Sequence, residues 1–158
     1  STAVEASGNG TNGVLTNGPV FVAGKYGNGV RLDGGNDYVN LGNPASLQLT
    51  GSMTLSAWIN SSAFPMDDAA IISKRQSSRT GYQLDTTIDT GPRTLGFKIS
   101  DALGNTVARY GATTLTLRVF APHIFQELLI RGSREKGWQK SACTTLPTPS
   151  PWNPTKAP

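Results

Sequence analysis

The chain has 158 residues, which suits one domain and leaves little room for two. Its formal charge of +4 lies wholly beyond residue 117, because residues 1–117 hold eight Lys/Arg and eight Asp/Glu; the body therefore offers no basic stripe for nucleic acid. No run of eighteen apolar residues provides a membrane span, and the one cysteine, Cys143, excludes an internal disulfide and a thiolate metal cluster. The chain opens at Ser1 without a leader pattern, which reads as a mature product or a piece of a longer protein.

Short apolar-polar alternations separated by Gly/Asn turns fill the first three quarters of the chain. In chain order the expected strands are Pro19–Val22, Val30–Asp33, Asp37–Leu41, Met53–Asn60, Ala70–Lys74, Tyr82–Ile88, Thr94–Ser100, Thr106–Tyr110 and Thr113–Leu117. In "MTLSAWIN", Met53, Leu55, Ala57 and Ile59 fall on one face and Trp58 on the other. "DALGN" marks a turn between two strands. No helical period of useful length occurs before residue 120, so the body reads as an all-β sandwich or jelly roll.

Composition changes near residue 117. Six of ten prolines follow it, whereas sixteen of eighteen glycines precede it. "PHIFQELLIRG" reads as a helix, with Pro122 in its first turn and Gly132 ending it. "CTTLPTPSPWNPTKAP" is a Pro/Thr-rich segment that cannot build a core. The expected organisation is a body over 1–117 and a basic, Pro-rich tail over 118–158.

Four stretches of the body resemble the laminin-G-like, concanavalin A-like jelly-roll family. They are "EASGNGTNGVLTNGPVFVAGKYGNGVRLDGGNDYVNLG", "PASLQLTGSMTLSAWIN", "IISKRQSSRTGYQL" and "TLGFKISDALGN". The resemblance implies a concanavalin A-like jelly-roll sandwich, here incomplete, since the family's continuation after "TTLTL" is absent. Read across codon boundaries, "PHIFQELLI" admits a His-Ile-Ser-Gly-Val-x-Asp sequence similar to that missing continuation. The tail is accordingly read as disordered, or as a shifted frame or alternative splice. The resemblance further implies a non-catalytic binding module of a larger extracellular or cell-surface protein, adhering to glycan or protein. A ligand-free spacer and a glycoside hydrolase remnant are the alternatives.

Candidate sites are few. Asp33 and Asp37 flank "GGN", and hard oxygen donors of this kind suit Ca²⁺, although one loop supplies too few of the six to eight required. Several members of the family bind calcium, and its early acidic position corresponds to Glu5, so Glu5, Asp33 and Asp37 form a composite calcium site by resemblance. The competing reading is a turn in which Gly34 and Gly35 take positive φ and Asn36 or Asp37 caps the backbone. Catalysis finds little support. No two glutamates pair at alternate strand positions, Asp85 and Asp89 read as part of a solvated hairpin, and His123 is the only histidine. For sugar stacking the aromatic candidates are Tyr26, Tyr38, Trp58, Tyr82 and Tyr110. Asn9 and Asn60 each begin a glycosylation sequon, meaningful only in a eukaryotic secretory setting.

Overall fold

A computed structural model of the chain describes residues 1–76, 80–115 and 126–132. Its described residues fall into two compact units, Ser1–Met53 and Thr54–Gly132. In the first, β1 (Thr2–Ala3), β2 (Gly13–Thr16) and β5 (Tyr38–Asn40) form an antiparallel sheet in the order β1-β2-β5. A separate ribbon pairs β3 (Val20–Ala23) with β4 (Asn28–Arg31). The β2–β3 turn is "NG", with Asn17 at φ 71° and Gly18 at φ 123°, a left-handed pair that Asn and Gly tolerate best. A single 3-10 turn, Ala45–Leu47, follows β5.

In the second unit, β6 (Met53–Ile59) pairs with β11 (Gln126–Gly132). The remaining strands, β7 (Ala69–Arg75), β8 (Gly81–Thr87), β9 (Thr94–Ser100) and β10 (Thr106–Tyr110), form an antiparallel sheet in the order β10-β9-β8-β7. A bulge in β7, between Ala70 and Ile72, shifts its register against β8. Between β9 and β10, Asp101 accepts the N–H groups of Leu103 and Asn105, both at 2.9 Å, and Gly104 takes φ 82°.

Antiparallel partners share a face, so the registers sort the sheet into two sides. Tyr82, Leu84, Leu95, Phe97 and Ile99 lie on one. Leu84, Leu95 and Phe97 are almost completely buried, and Leu95 packs with Leu115, Ile59, Phe64 and Ile71. This apolar side supplies most of the hydrophobic driving force. The other side carries Gln83, Asp85, Thr87, Thr94, Gly96, Lys98 and Ser100 on its two central strands.

The alternating segments become strands with ends shifted by a residue or two, and "DALGN" turns as expected. The strands β1 and β2 went unread; β1, of two residues, is too brief to show a period. No strand forms over 113–115, where the Leu115 N–H donates to the Arg93 carbonyl at 2.8 Å; the rest of the expected Thr113–Leu117 strand lies outside the described residues. The helix expected after Pro122 is corrected. Gln126–Gly132 is strand β11, because so short a helix is marginal alone while pairing with β6 supplies partners for its backbone. The disorder or frame shift expected of 118–158 concerns residues that otherwise lie outside those described.

Candidate functional site

The polar side of the sheet is a connected network rather than a solvated surface. Its rows run across all four strands: Ala70, Asp85, Gly96 and Tyr110; then Ser73, Gln83, Lys98 and Ala108; then Arg75, Gly81, Ser100 and Thr106. Ala70, Gly96 and Ala108 are small and leave room for the long or charged side chains beside them. Gly96 is the tightest case. A Cβ there would collide with Asp85 Oδ1 and come within 3.0 Å of Thr87 Cγ2, so the Asp85 carboxylate lies against the Gly96 backbone.

Lys98 is the hub. Its Nζ bonds Asp68 Oδ2 and lies 3.2 Å from Asp85 Oδ2 and 3.3 Å from Asp89 Oδ2. Asp68 precedes β7 and Asp89 follows β8, so both come from loops at one end of the sheet. Gln83 Nε2 donates to Asp85 Oδ2 at 2.6 Å, and Tyr110 OH donates to Asp89 Oδ2 at 3.0 Å. Asp85 has 0% exposure and Lys98 only 9%, whereas the Asp89 side chain is 42% exposed and Tyr110 is 39% exposed. The cluster thus has a buried floor and an open rim.

Electrostatics follow from that gradient. Burial raises the Asp85 carboxyl above its ordinary value, against the lowering influence of Gln83 and Lys98. Asp89 at the rim is held below its usual value, chiefly by the Tyr110 hydroxyl. Burial opposes the Lys98 charge, but the bonds to Asp68, Asp85 and Asp89 outweigh it and keep the ammonium firmly protonated. Two buried acceptors, Asp68 Oδ1 and Asp85 Oδ1, have no hydrogen-bond donor.

The Asp68 loop is itself pinned. Arg93 donates to the Pro65 carbonyl at 2.5 Å, the Asp67 carbonyl at 2.9 Å and Thr86 Oγ1 at 3.2 Å, and its guanidinium lies 5.3 Å from the Phe64 ring centroid. One arginine therefore sets the backbone that delivers Asp68.

The residues singled out from the sequence lie elsewhere. Asp33 and Asp37 share a turn: the Gly35 N–H donates to Asp33 Oδ1 at 2.8 Å and the Asp33 N–H to Asp37 Oδ2 at 3.1 Å. Gly34 takes φ 83°, while Gly35 does not need positive φ. Asp37 Oδ1 is buried without a donor. Glu5 closes a different turn, accepting from the Ser7 hydroxyl and from the N–H groups of Ser7 and Gly10, each at 2.7 Å. Among the described residues no group of three or more His, Cys, Asp or Glu side chains is placed to hold a metal ion, so the turn joins Asp33 to Asp37 and does not gather Glu5 with them. Of the aromatic candidates, Tyr26 and Tyr38 are exposed, Trp58 is half-buried and Tyr82 is buried. Of the Asp85 and Asp89 pair expected in a solvated hairpin, Asp85 is instead sealed by the network, whereas Asp89 stays exposed. His123 lies outside the described residues.

Sequence reasoning missed Asp68, Gln83, Lys98 and Gly96. The available signal was Gly96, a glycine in the middle of an alternating strand, which marks a close approach.

The antiparallel, all-β architecture with one polar sheet face sets the class. Within it, the laminin-G-like family model described as the concanavalin A-like lectin/glucanases superfamily matches residues 33–120, more than half of the chain, and the chain belongs to that superfamily. The match includes Asp33, Asp37 and every member of the Lys98 cluster, excludes Glu5, and ends close to the compositional break at 117. Neither a curated protein nor a solved structure matches the chain. No helix among the described residues is long and apolar enough to cross a membrane.

Proposed function

We propose that the chain is a non-catalytic carbohydrate-binding module of a larger extracellular or cell-surface protein, and that it takes its ligand at the Tyr110–Asp89 rim. The supporting observation is a half-exposed aromatic ring tied by its hydroxyl to an ionised carboxylate. A sugar ring stacks on such an aromatic face while its hydroxyls donate to the carboxylate beside it. Lys98 and the Arg93-pinned loop hold the rim in place, so little ordering entropy is lost on binding.

Affinity electrophoresis of the full chain through neutral polysaccharides tests the proposal. Retardation is expected, with Tyr110→Ala abolishing it and Tyr110→Phe weakening it by about threefold, as for one lost hydrogen bond. Retardation that survives Tyr110→Ala and disappears in Tyr26→Ala would move the site to the first unit. No retardation by any glycan would favour the ligand-free spacer. The opposed shifts of Asp85 and Asp89 are the pattern of an acid and its partner carboxylate, which is what keeps the glycoside hydrolase remnant as a second reading. Against it, an acid must reach its substrate, and Asp85 is sealed beneath Lys98. Turnover of a polysaccharide by the chain, lost in Asp85→Asn, would overturn the non-catalytic assignment.

Calcium at Glu5, Asp33 and Asp37 is a separate proposal with its own test. The donor-less Asp37 Oδ1 supports it, and the full use of the Glu5 carboxylate inside its turn weighs against Glu5 as a ligand. A calcium-induced rise in Tm, lost in Asp37→Asn, would support an ion at this turn; an unchanged Tm would leave it purely structural.

A further inference from the structure

Four Asn-Gly pairs occur in the first unit: Asn9-Gly10, Asn12-Gly13, Asn17-Gly18 and Asn28-Gly29. Asn before Gly is open to spontaneous deamidation, because no Cβ hinders the glycine nitrogen as it closes on the preceding side chain. We propose that Asn17 is the site of this modification in the folded chain, and that the reaction unlatches the β2–β3 turn from Asn36.

Ring closure needs a glycine nitrogen that is free and open to water. Three of the four are engaged. The Gly10 N–H donates to Glu5 Oε1 at 2.7 Å. Gly13 and Gly29 lie inside strands, in register with Ala3 and Val22. Neighbouring bonds, from the Leu15 N–H to the Ser1 carbonyl at 3.0 Å and from the Gly24 N–H to the Gly27 carbonyl at 2.8 Å, set the alternation of each ladder. By that alternation the Gly13 and Gly29 N–H groups point at their strand partners. Asn17 and Gly18 are both exposed, and no group among the described residues accepts the Gly18 N–H. The turn over Thr16–Pro19 also lacks its closing bond, because Pro19 has no N–H to offer the Thr16 carbonyl. Little main-chain bonding therefore resists the rotation that brings the Gly18 nitrogen to its own neighbour.

The chemistry needs only water and a solvent base. The Gly18 nitrogen gives its proton to the base and bonds Asn17 Cγ; the Cγ–Nδ2 bond breaks, and the nitrogen leaves as ammonia with a proton from solvent. Water then opens the succinimide. Attack at Cγ gives Asp, and attack at the main-chain carbonyl gives isoaspartate, with no change of oxidation state. The group that leaves is the one that holds the turn: Asn17 Nδ2 donates to the Asn36 carbonyl at 2.8 Å. A carboxylate in its place has no donor for that carbonyl. It also adds a negative charge near Asp37, whose buried, donor-less Oδ1 lies 3.6 Å from where a Gly18 Cβ would stand. Isoaspartate further lengthens the main chain by one atom at the corner between β2 and β3.

The test ages the full chain at mildly alkaline pH, with and without denaturant, and follows each asparagine by mass spectrometry after trypsin. Cleavage after Lys25 and Arg31 places Asn9, Asn12 and Asn17 in one peptide and Asn28 in the next, and fragmentation separates the first three. In the folded chain Asn17 is expected to convert about tenfold faster than the other three, since each of them must first break a hydrogen bond at its glycine. In denaturant the four rates should draw together. A folded chain in which Asn9, Asn12 or Asn28 leads, or in which all four convert alike, would overturn the site. Asn17 leading by the same factor in denaturant would place the preference in local sequence and overturn its structural origin. Asn17→Asp, which carries the product from the start, should lower Tm by about 3 °C, as for one lost hydrogen bond. An unchanged Tm in Asn17→Asp would overturn the latch.

Discussion

The two faces of the four-stranded sheet are built from the same strands and buried to a similar degree, yet they are held by different physics. On one, Leu84, Leu95 and Phe97 exclude water and need only fit. On the other, Asp85, Thr87, Lys98 and Ser100 are as deeply buried, and each polar atom needs a partner. An apolar face tolerates small losses locally. A polar face fails as a unit, because removing one member strands the others. That contrast makes the polar face costly to keep, and a costly buried network is where function is expected.

The sharpest way to break the contrast is Lys98→Met. The change keeps the length and volume of the stem but leaves three carboxylates around no cation. A loss of about 3–5 kcal/mol is expected by chemical denaturation, as for one partner removed from a buried ion pair. Acidification should shrink the loss as Asp85 and Asp89 protonate. Leu84→Ala on the apolar face should cost about 3 kcal/mol, mostly through the cavity it leaves, and that cost should not depend on pH. Two variants with equal pH profiles would mean that the polar network is no more than packing.

Gly96→Ala is the next largest. One added methyl would force the Asp85 carboxylate off its seat beside Lys98, at an expected cost of about 1–2 kcal/mol. The effect should be out of proportion at the rim, because a displaced Asp85 releases Lys98 from one of its three partners and loosens Asp89 with it. Glycan retardation should fall more than stability does. A variant that binds normally would show that the rim does not depend on the buried floor.

The strands were legible because alternation survives at short range: "MTLSAWIN" places Met53 and Leu55 inside and Thr54 and Ser56 outside, as the structure has them. The site was not legible, for the same reason. Alternation reads Gln83, Asp85 and Lys98 as the outer face of a strand, and charged residues at alternate positions ordinarily face water. Their burial depends on strand register, on the loops that carry Asp68 and Asp89, and on small residues at 70, 96 and 108, all of which are long-range facts. The Asp33–Asp37 turn was legible because its bonds span four residues or fewer. The strand at 126–132 was not, because a partner outside the segment overrides its helical pattern.

The smallest effect compares a buried aspartate with an exposed one, and it has opposite signs. Asp85 binds its proton more tightly in the folded chain than in the unfolded one, chiefly through burial. Its stabilising contribution is complete below the unfolded value near 3.8 and is lost as pH rises through the raised folded value. Asp85→Asn, neutral at every pH and of the same shape, should therefore match the wild type in acid and gain on it towards neutrality. Asp101, fully exposed in the β9–β10 turn, is lowered by hydrogen bonds from Asn105 and its neighbours. Its contribution is present above the unfolded value and fades as pH falls, so Asp101→Asn should match the wild type in acid and lose to it towards neutrality. Denaturation midpoints measured across the acidic range would show two curves diverging from the wild type in opposite directions. If Asp85→Asn instead loses stability as pH rises, its attraction to Lys98 outweighs burial, and the polar face is held by its ion pairs rather than kept in spite of their desolvation.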